Sequence, residues 1–200
     1  KNIMQKLITG IGSLDLIKDD YDIVILDGTP SLGVLPLNIV CASDITVMPV
    51  PTAINDFCAT NTYMSLLRDQ LASMIDYLGD DVCDDIDMPD VMVVPTKFSV
   101  ANNSTKTSRN WLTHIQSTFE VSCSPAVIRK HDQVIDNSLT IHRTIYELPN
   151  RFGGIDPKAL KKAKENYDEV FDWLMKTAIE PFWSAGKNSD LDFIEEMTNE

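Results

Sequence analysis

The 200-residue sequence has no run of about 18 apolar residues, the length a membrane-crossing helix needs. Its first twenty residues lack the continuous apolar stretch and small-residue cleavage site of a secretory leader. Only eight glycines occur, and no Gly-rich loop able to cradle phosphates is among them. The four cysteines, Cys41, Cys58, Cys83 and Cys123, form no CxxC or other metal-ligand spacing, which predicts reduced, mostly buried thiols in a cytoplasmic protein. The three histidines, His114, His131 and His142, have no nucleophile or metal partner at a telling distance along the chain, and read as surface or core residues. Basic side chains are outnumbered, 17 against 30, and the net charge of −13 excludes a generally basic nucleic-acid binder. The imbalance is uneven, however. Residues 1–95 hold 4 Lys/Arg against 15 Asp/Glu, residues 96–170 hold 11 against 8, and residues 171–200 hold 2 against 7. A mildly basic middle is therefore flanked by acidic segments, and a polyanion would dock there.

What is present suffices for one domain: 44% of the residues are hydrophobic. Apolar positions from Ile3 to Ile17 follow a helical spacing weakened by Gly10 and Gly12. "DDYDIVILDG" reads as an acidic turn leading into a buried strand, Ile23–Leu26. "PSLGVLPLNIVCA" reads as a loop and a helix, and "DITVMPVP" as a second buried strand. A long amphipathic helix, "INDFCATNTYMSLLRDQLASMIDYL", precedes an acidic loop, "GDDVCDDIDMPD", and a third strand, "VMVVPTKF". "STKTSRNWLTHIQSTF" reads as a helix, "SPAVIRK" as a fourth short strand, and a short helix falls near Val134–Leu139. The last long helix opens at Asp156 as N-cap, with Pro157 at its first position. The tail from residue 184 is acidic and lacks a packing pattern. Met48, Met64 and Met74 read as core, and Trp111, Phe171, Trp173, Phe182 and Trp183 as packing aromatics. Strands alternating with long helices predict an α/β fold with a mostly parallel sheet. Ligands of such sheets bind beyond the carboxyl ends of the strands, here just after Leu26, Val50, Val94 and Ile128.

Asp27 is the sharpest feature. An apolar strand running straight into a carboxylate is a Walker B pattern. Such a strand holds the carboxylate rigidly, where it can reach a Mg2+-bound water beneath nucleotide phosphates.

The longer stretch resembles the ParA family of partition ATPases (deviant Walker-A, MinD-like). It carries Tyr21-Asp22, an apolar run, Asp27, Pro30, Asn38, Ala42, Asp44 and Pro49 in the family's order. Downstream, "VMVVPTKF", "SPAVIRKHDQVIDNSLTIHRTIYEL" and "KALKKAKENYDEVFDWLM" look like the family's later strand, its Ile-Pro-x-Arg loop and its closing helix. The acidic loop and long C-terminus look most like the larger plasmid ParA proteins. The resemblance spans about residues 5–183, and implies a P-loop NTPase-like sheet with flanking helices followed by a flexible tail, 184–200. The family's G-K-G-G-x-G-K-[ST] loop is missing from these residues. That departure implies the C-terminal portion of a longer ATPase domain, or a naturally truncated relative, inactive in ATP hydrolysis on its own.

The resemblance assigns roles residue by residue. Asp27 is the catalytic carboxylate and contacts Mg2+ through water. Gly28, Thr29 and Pro30 form the switch that senses nucleotide, ATP or ADP. Pro95, Thr96, Lys97, Phe98, Ile128 and Arg129 lie near the adenine. Lys97, Lys106, Arg109, Arg129, Lys130 and Arg143 are the candidates for sequence-independent DNA contact. Lys158, Lys161, Lys162 and Lys164 add a basic helical stretch, which Glu165, Asp168 and Glu169 follow at pairing spacing, as on a solvated face. The implied whole is a cytoplasmic, nucleoid-associated homodimer. It segregates plasmid or chromosome copies with a ParB-type partner and makes no membrane contact. A non-catalytic interaction module and a MinD-like positioning protein are the alternatives, and the acidic tail disfavours an anionic membrane.

Overall fold

The computed structural model describes residues 21, 23–29, 31–78, 89–100, 105–119, 122–149 and 154–181. The expected N-terminal helix, the acidic loop after Leu78 and the acidic tail lie outside these residues. So do Asp22, Pro30, Cys83, Phe182 and Trp183, and the side chain of Met74. In chain order the elements are α1 (Val34–Cys41), β1 (Ile45–Pro51), α2 (Ile54–Leu78), β2 (Asp90–Thr96), α3 (Thr105–Phe119), α4 (Asp132–Thr140) and α5 (Pro157–Leu174). A π-helical turn, Met175–Ile179, continues α5. Among the described residues no helix is long and apolar enough to cross a membrane.

The chain divides into two compact units, Lys1–Thr46 with Cys58–Val91, and Val47–Phe57 with Met92–Glu200. In the first unit, α1 starts after Gly33, whose φ of 157° suits a glycine, and buries Leu37 and Val40, one helical turn apart. They meet Leu67 and Leu71 of α2, also one turn apart, with Leu32, Cys41 and Tyr63 packed around them. Each buried leucine contributes about 1.5–3 kcal/mol relative to exposure. Asn38 sits inside this helix, where its Nδ2 donates to the Val34 carbonyl at 2.6 Å.

Strands β1 and β2 form a parallel two-stranded sheet, joined by the α2 crossover. At one end Asp90 N–H donates to the Asp44 carbonyl, and at the other Thr52 N–H donates to the Thr96 carbonyl, both at 3.0 Å. Met92, Val93, Val94 and Pro95 are buried without a break, as a strand covered on both faces requires. The sheet, with its flanking helices, bears out the α/β class. The main core of the second unit lies between α4 and α5, from Val134, Ile145, Leu148, Ile155, Leu160 and Ala163. Asp156 caps α5 as its sequence predicts, its carboxylate accepting from Lys158 N–H at 3.0 Å with Pro157 beside it.

Three expectations are corrected. Ile23–Leu26 is not a strand. Its backbone joins no ladder, and Ile25 is 87% exposed. An apolar run becomes a buried strand only when neighbours pair its edges, and neither β1 nor β2 pairs with it. Residues 124–130 are not a continuous strand either. Only Arg129 among them forms a bridge, with Phe98, and Cys123 just before them forms another with Val93, both isolated and parallel. Residues 93 and 95 face this neighbour, and Pro95 has no N–H to donate to it. The chain bends at Pro125 and Ala126 and rejoins where Ile128 N–H reaches the Pro95 carbonyl at 2.9 Å. Lastly, the described thiols are not mostly buried: Cys123 is, Cys41 is half-buried and Cys58 is exposed. Met48 and Met64 are likewise only half-buried, and Phe171 is exposed.

Candidate nucleotide site at the carboxyl end of the sheet

In the first unit, Asp27, Gly28 and Thr29 are exposed. Thr29 organises the short turn that follows: its carbonyl accepts from Ser31 N–H at 2.8 Å, and the two hydroxyls lie 2.9 Å apart. Pro30 lies outside the described residues.

The second unit brings the other expected nucleotide residues together. Just past β2, Phe98 N–H donates to the Ile128 carbonyl at 3.1 Å, and Lys130 N–H donates back to the Phe98 carbonyl at 2.9 Å. Thr96, Lys97 and Phe98 thus stand against Ile128, Arg129 and Lys130 at the end of the sheet where ligands of parallel folds bind. Pro95 belongs to the strand itself and is fully buried, so its contribution is the carbonyl held by Ile128.

Lys97 has a left-handed backbone, φ 52°. In a residue with a β-carbon this costs on the order of 1–2 kcal/mol and is held by its surroundings. The hold comes partly from Thr52, 5% exposed, whose hydroxyl donates to the Lys97 carbonyl at 3.4 Å. On the other flank, Ser99 N–H donates to the buried Ser108 hydroxyl of α3 at 3.4 Å.

Asn166, on α5, is the residue that sequence reasoning missed. It is buried, and its carboxamide bridges the chain around Ile128: Nδ2 donates to the Val127 carbonyl at 2.8 Å, and Oδ1 accepts from Arg129 N–H at 2.8 Å. A signal existed. Asn166 occupies a helical position in phase with Leu160, Ala163 and Val170, where an apolar residue belongs. His131 follows in the same loop, with its Nε2 buried and unpartnered. Burial holds His131 below the usual imidazole range; the Asn166 amide opposes that shift and the Arg129 charge adds to it.

The basic candidates are spread over several elements. Lys106 and Arg109 are exposed on α3, and Lys97, Arg129, Lys130 and Arg143 are exposed on loops. Lys130 pairs with Asp132 at 3.2 Å and Arg143 with Glu147 at 3.9 Å. On α5, Lys161 pairs with Glu165 at 3.6 Å and Lys164 donates to the Tyr146 carbonyl at 3.2 Å, so this stretch behaves as a solvated, paired face. Among the described residues, no three or more His, Cys, Asp or Glu side chains gather as a metal site.

Comparison with known proteins bears on this arrangement. A family model described as an AAA domain matches residues 2–76. Protein SopA of Escherichia coli (strain K12) is 27% identical over 173 residues, and SopA of Escherichia coli O157:H7 is identical to the same extent. These alignments cover 82% of this chain and 40% of each relative. The chain spans well under half the length of the curated relatives it matches. The resemblance carried by Asp27, Pro30, Asn38 and Asp44 falls inside the matched AAA region, while the loop at Ile128 and Arg129 lies beyond it.

Proposed function

We propose that this chain carries the Walker B side and the base-side loops of a partition ATPase that binds ATP or ADP with Mg2+. The observation that supports this most directly is the backbone pairing of Thr96–Phe98 with Ile128–Lys130 at the carboxyl end of parallel strands. Asp27 is the carboxylate that reaches Mg2+ through water. One protein carboxylate suits this ion, which keeps several waters and takes further oxygens from nucleotide phosphates. Gly28, Thr29 and Pro30 respond to the terminal phosphate. The ATP-bound protein is a homodimer that binds DNA without sequence preference through exposed Lys and Arg, and a ParB-type partner stimulates hydrolysis to release it. The cycle separates plasmid or chromosome copies.

The test uses the full-length protein. ATP hydrolysis should be measured with and without DNA and the partner, in the wild type and in Asp27→Asn. Wild-type turnover that Asp27→Asn abolishes, with nucleotide binding retained, supports the reading. A wild type that binds no nucleotide overturns it and leaves a non-catalytic interaction module.

A further inference from the structure

The segment 127–130 runs beside the end of β2, and its peptide groups alternate in direction. Ile128 turns both its N–H and its carbonyl toward β2, to the Pro95 carbonyl and to Phe98 N–H. The Val127 carbonyl and Arg129 N–H therefore point away from β2. In a wider sheet another strand would pair with them. Here the Asn166 carboxamide does so, at 2.8 Å on both sides. A side-chain amide presents an N–H donor and a carbonyl acceptor on one edge, as the N–H and carbonyl of a single strand residue do, so it can replace the missing strand for one repeat. Leaving these two part-buried backbone groups unmade would cost at most about 1–3 kcal/mol each.

We propose that Asn166 is a positioning residue for the bound nucleotide: it stands in for an outer strand and so fixes Ile128 and Arg129 at the carboxyl end of the sheet. This rests on the nucleotide-binding reading above. On that reading the base and ribose, and not the phosphates, lie against this loop. Asn166 therefore governs affinity for the nucleoside part of ATP without governing affinity for phosphate groups alone. Because Asn166 belongs to α5, any shift of that helix moves the loop with it.

The experiment compares ATP with inorganic tripolyphosphate as ligands of the full-length protein, in the wild type, Asn166→Leu and Asn166→Asp. Leu removes donor and acceptor at similar volume. Asp keeps an acceptor for Arg129 N–H but, when ionised, has nothing to donate to Val127. Both variants should bind ATP about tenfold or more weakly at neutral pH, the size of one lost pairing, and bind tripolyphosphate as the wild type does. The Asp variant should recover relative to the wild type at each lower pH, as its carboxyl gains the proton that restores the donor. The Asp carboxyl also alters the titration of His131, which faces the same carboxamide, so the pH comparison is repeated in a His131→Gln background. ATP affinity unchanged in both variants, or lost in step with tripolyphosphate affinity, overturns the proposal and leaves the ATPase reading standing. A wild type that binds no ATP overturns both.

Discussion

The Tyr146 hydroxyl donates to the Asp168 carboxylate at 2.6 Å, tying the turn after α4 to the middle of α5. Lys164 reinforces the tie from one turn earlier by donating to the Tyr146 carbonyl. Tyr146→Phe keeps the ring and removes the bond. The pair is largely exposed, so the loss should be about 1 kcal/mol, below what a buried hydrogen bond to a charged group contributes. Urea unfolding of the variant beside the wild type measures it. Desolvation, and then the Asp168 carboxylate, push the Tyr146 pKa from the usual 10.0 up to about 12. The fold prefers the protonated phenol. That contribution is whole below pH 10.0 and is lost as the pH rises toward about 12. Tyr146→Phe should therefore have a flatter stability profile over that window.

His131 gives the opposite sign. Its folded pKa lies below the ordinary 6.5, chiefly because burial disfavours the imidazolium. The unfolded chain then binds more protons, so stability rises with pH. The contribution is present above pH 6.5 and is lost progressively as the pH falls below it. Denaturation midpoints between about pH 7 and pH 5 should fall less steeply in His131→Gln than in the wild type. Equal slopes would remove His131 from the acid response.

Much of this fold is legible in the sequence, for identifiable reasons. The helix opened by Asp156 and Pro157 was readable because capping is local chemistry, and Val93-Val94 was readable as buried strand because both faces are apolar. The Ile23–Leu26 run misleads because its composition describes a strand that still needs pairing partners. The break near Pro125 was obscured for a related reason. It depends on which edge Pro95 turns toward its neighbour, and so on sheet register. Of the candidate site, the approach of Phe98 to Arg129 follows from strand order, but the part played by Asn166 does not. An asparagine within a helix can be a solvated residue or a clamp. Only the placement of α5 against residues 127–129 decides which.

The core between α4 and α5 should be intolerant of truncation at Leu160, which is 2% exposed among Val134, Ile145, Leu148 and Ile155. Leu160→Ala should cost about 3 kcal/mol from lost burial and the cavity left behind, whereas Leu160→Met should cost under about 1.5 kcal/mol. Chemical denaturation of both variants measures the difference. Equal costs would mean that α5 shifts to close the gap. The same variant also bears on the nucleotide loop, since a moved α5 carries Asn166 with it. Leu160→Ala should then show faster amide exchange at Arg129.

On the proposed reading, DNA contact falls most economically on α3. Lys106 and Arg109 are three residues apart, a spacing that puts them side by side on one helix face, and both are exposed while Ser108 and Ile115 turn inward. A non-specific DNA interface needs only cations facing phosphates, and each phosphate contact contributes to the salt dependence of binding. Reversing both charges, Lys106→Glu with Arg109→Glu, should therefore weaken DNA retention by the full-length protein at low salt for every sequence tested. The slope of log affinity against log salt should fall by roughly two, one for each contact removed. Nucleotide affinity should be unchanged, because neither residue belongs to the Thr96–Phe98 or Ile128–Lys130 pairing. DNA retention equal to the wild type would move the interface off α3, and the exposed Lys97, Arg129 and Lys130 at the end of the sheet would be the next residues to reverse. In that case nucleotide and DNA would share one loop, and DNA affinity should fall with ATP affinity in Asn166→Leu.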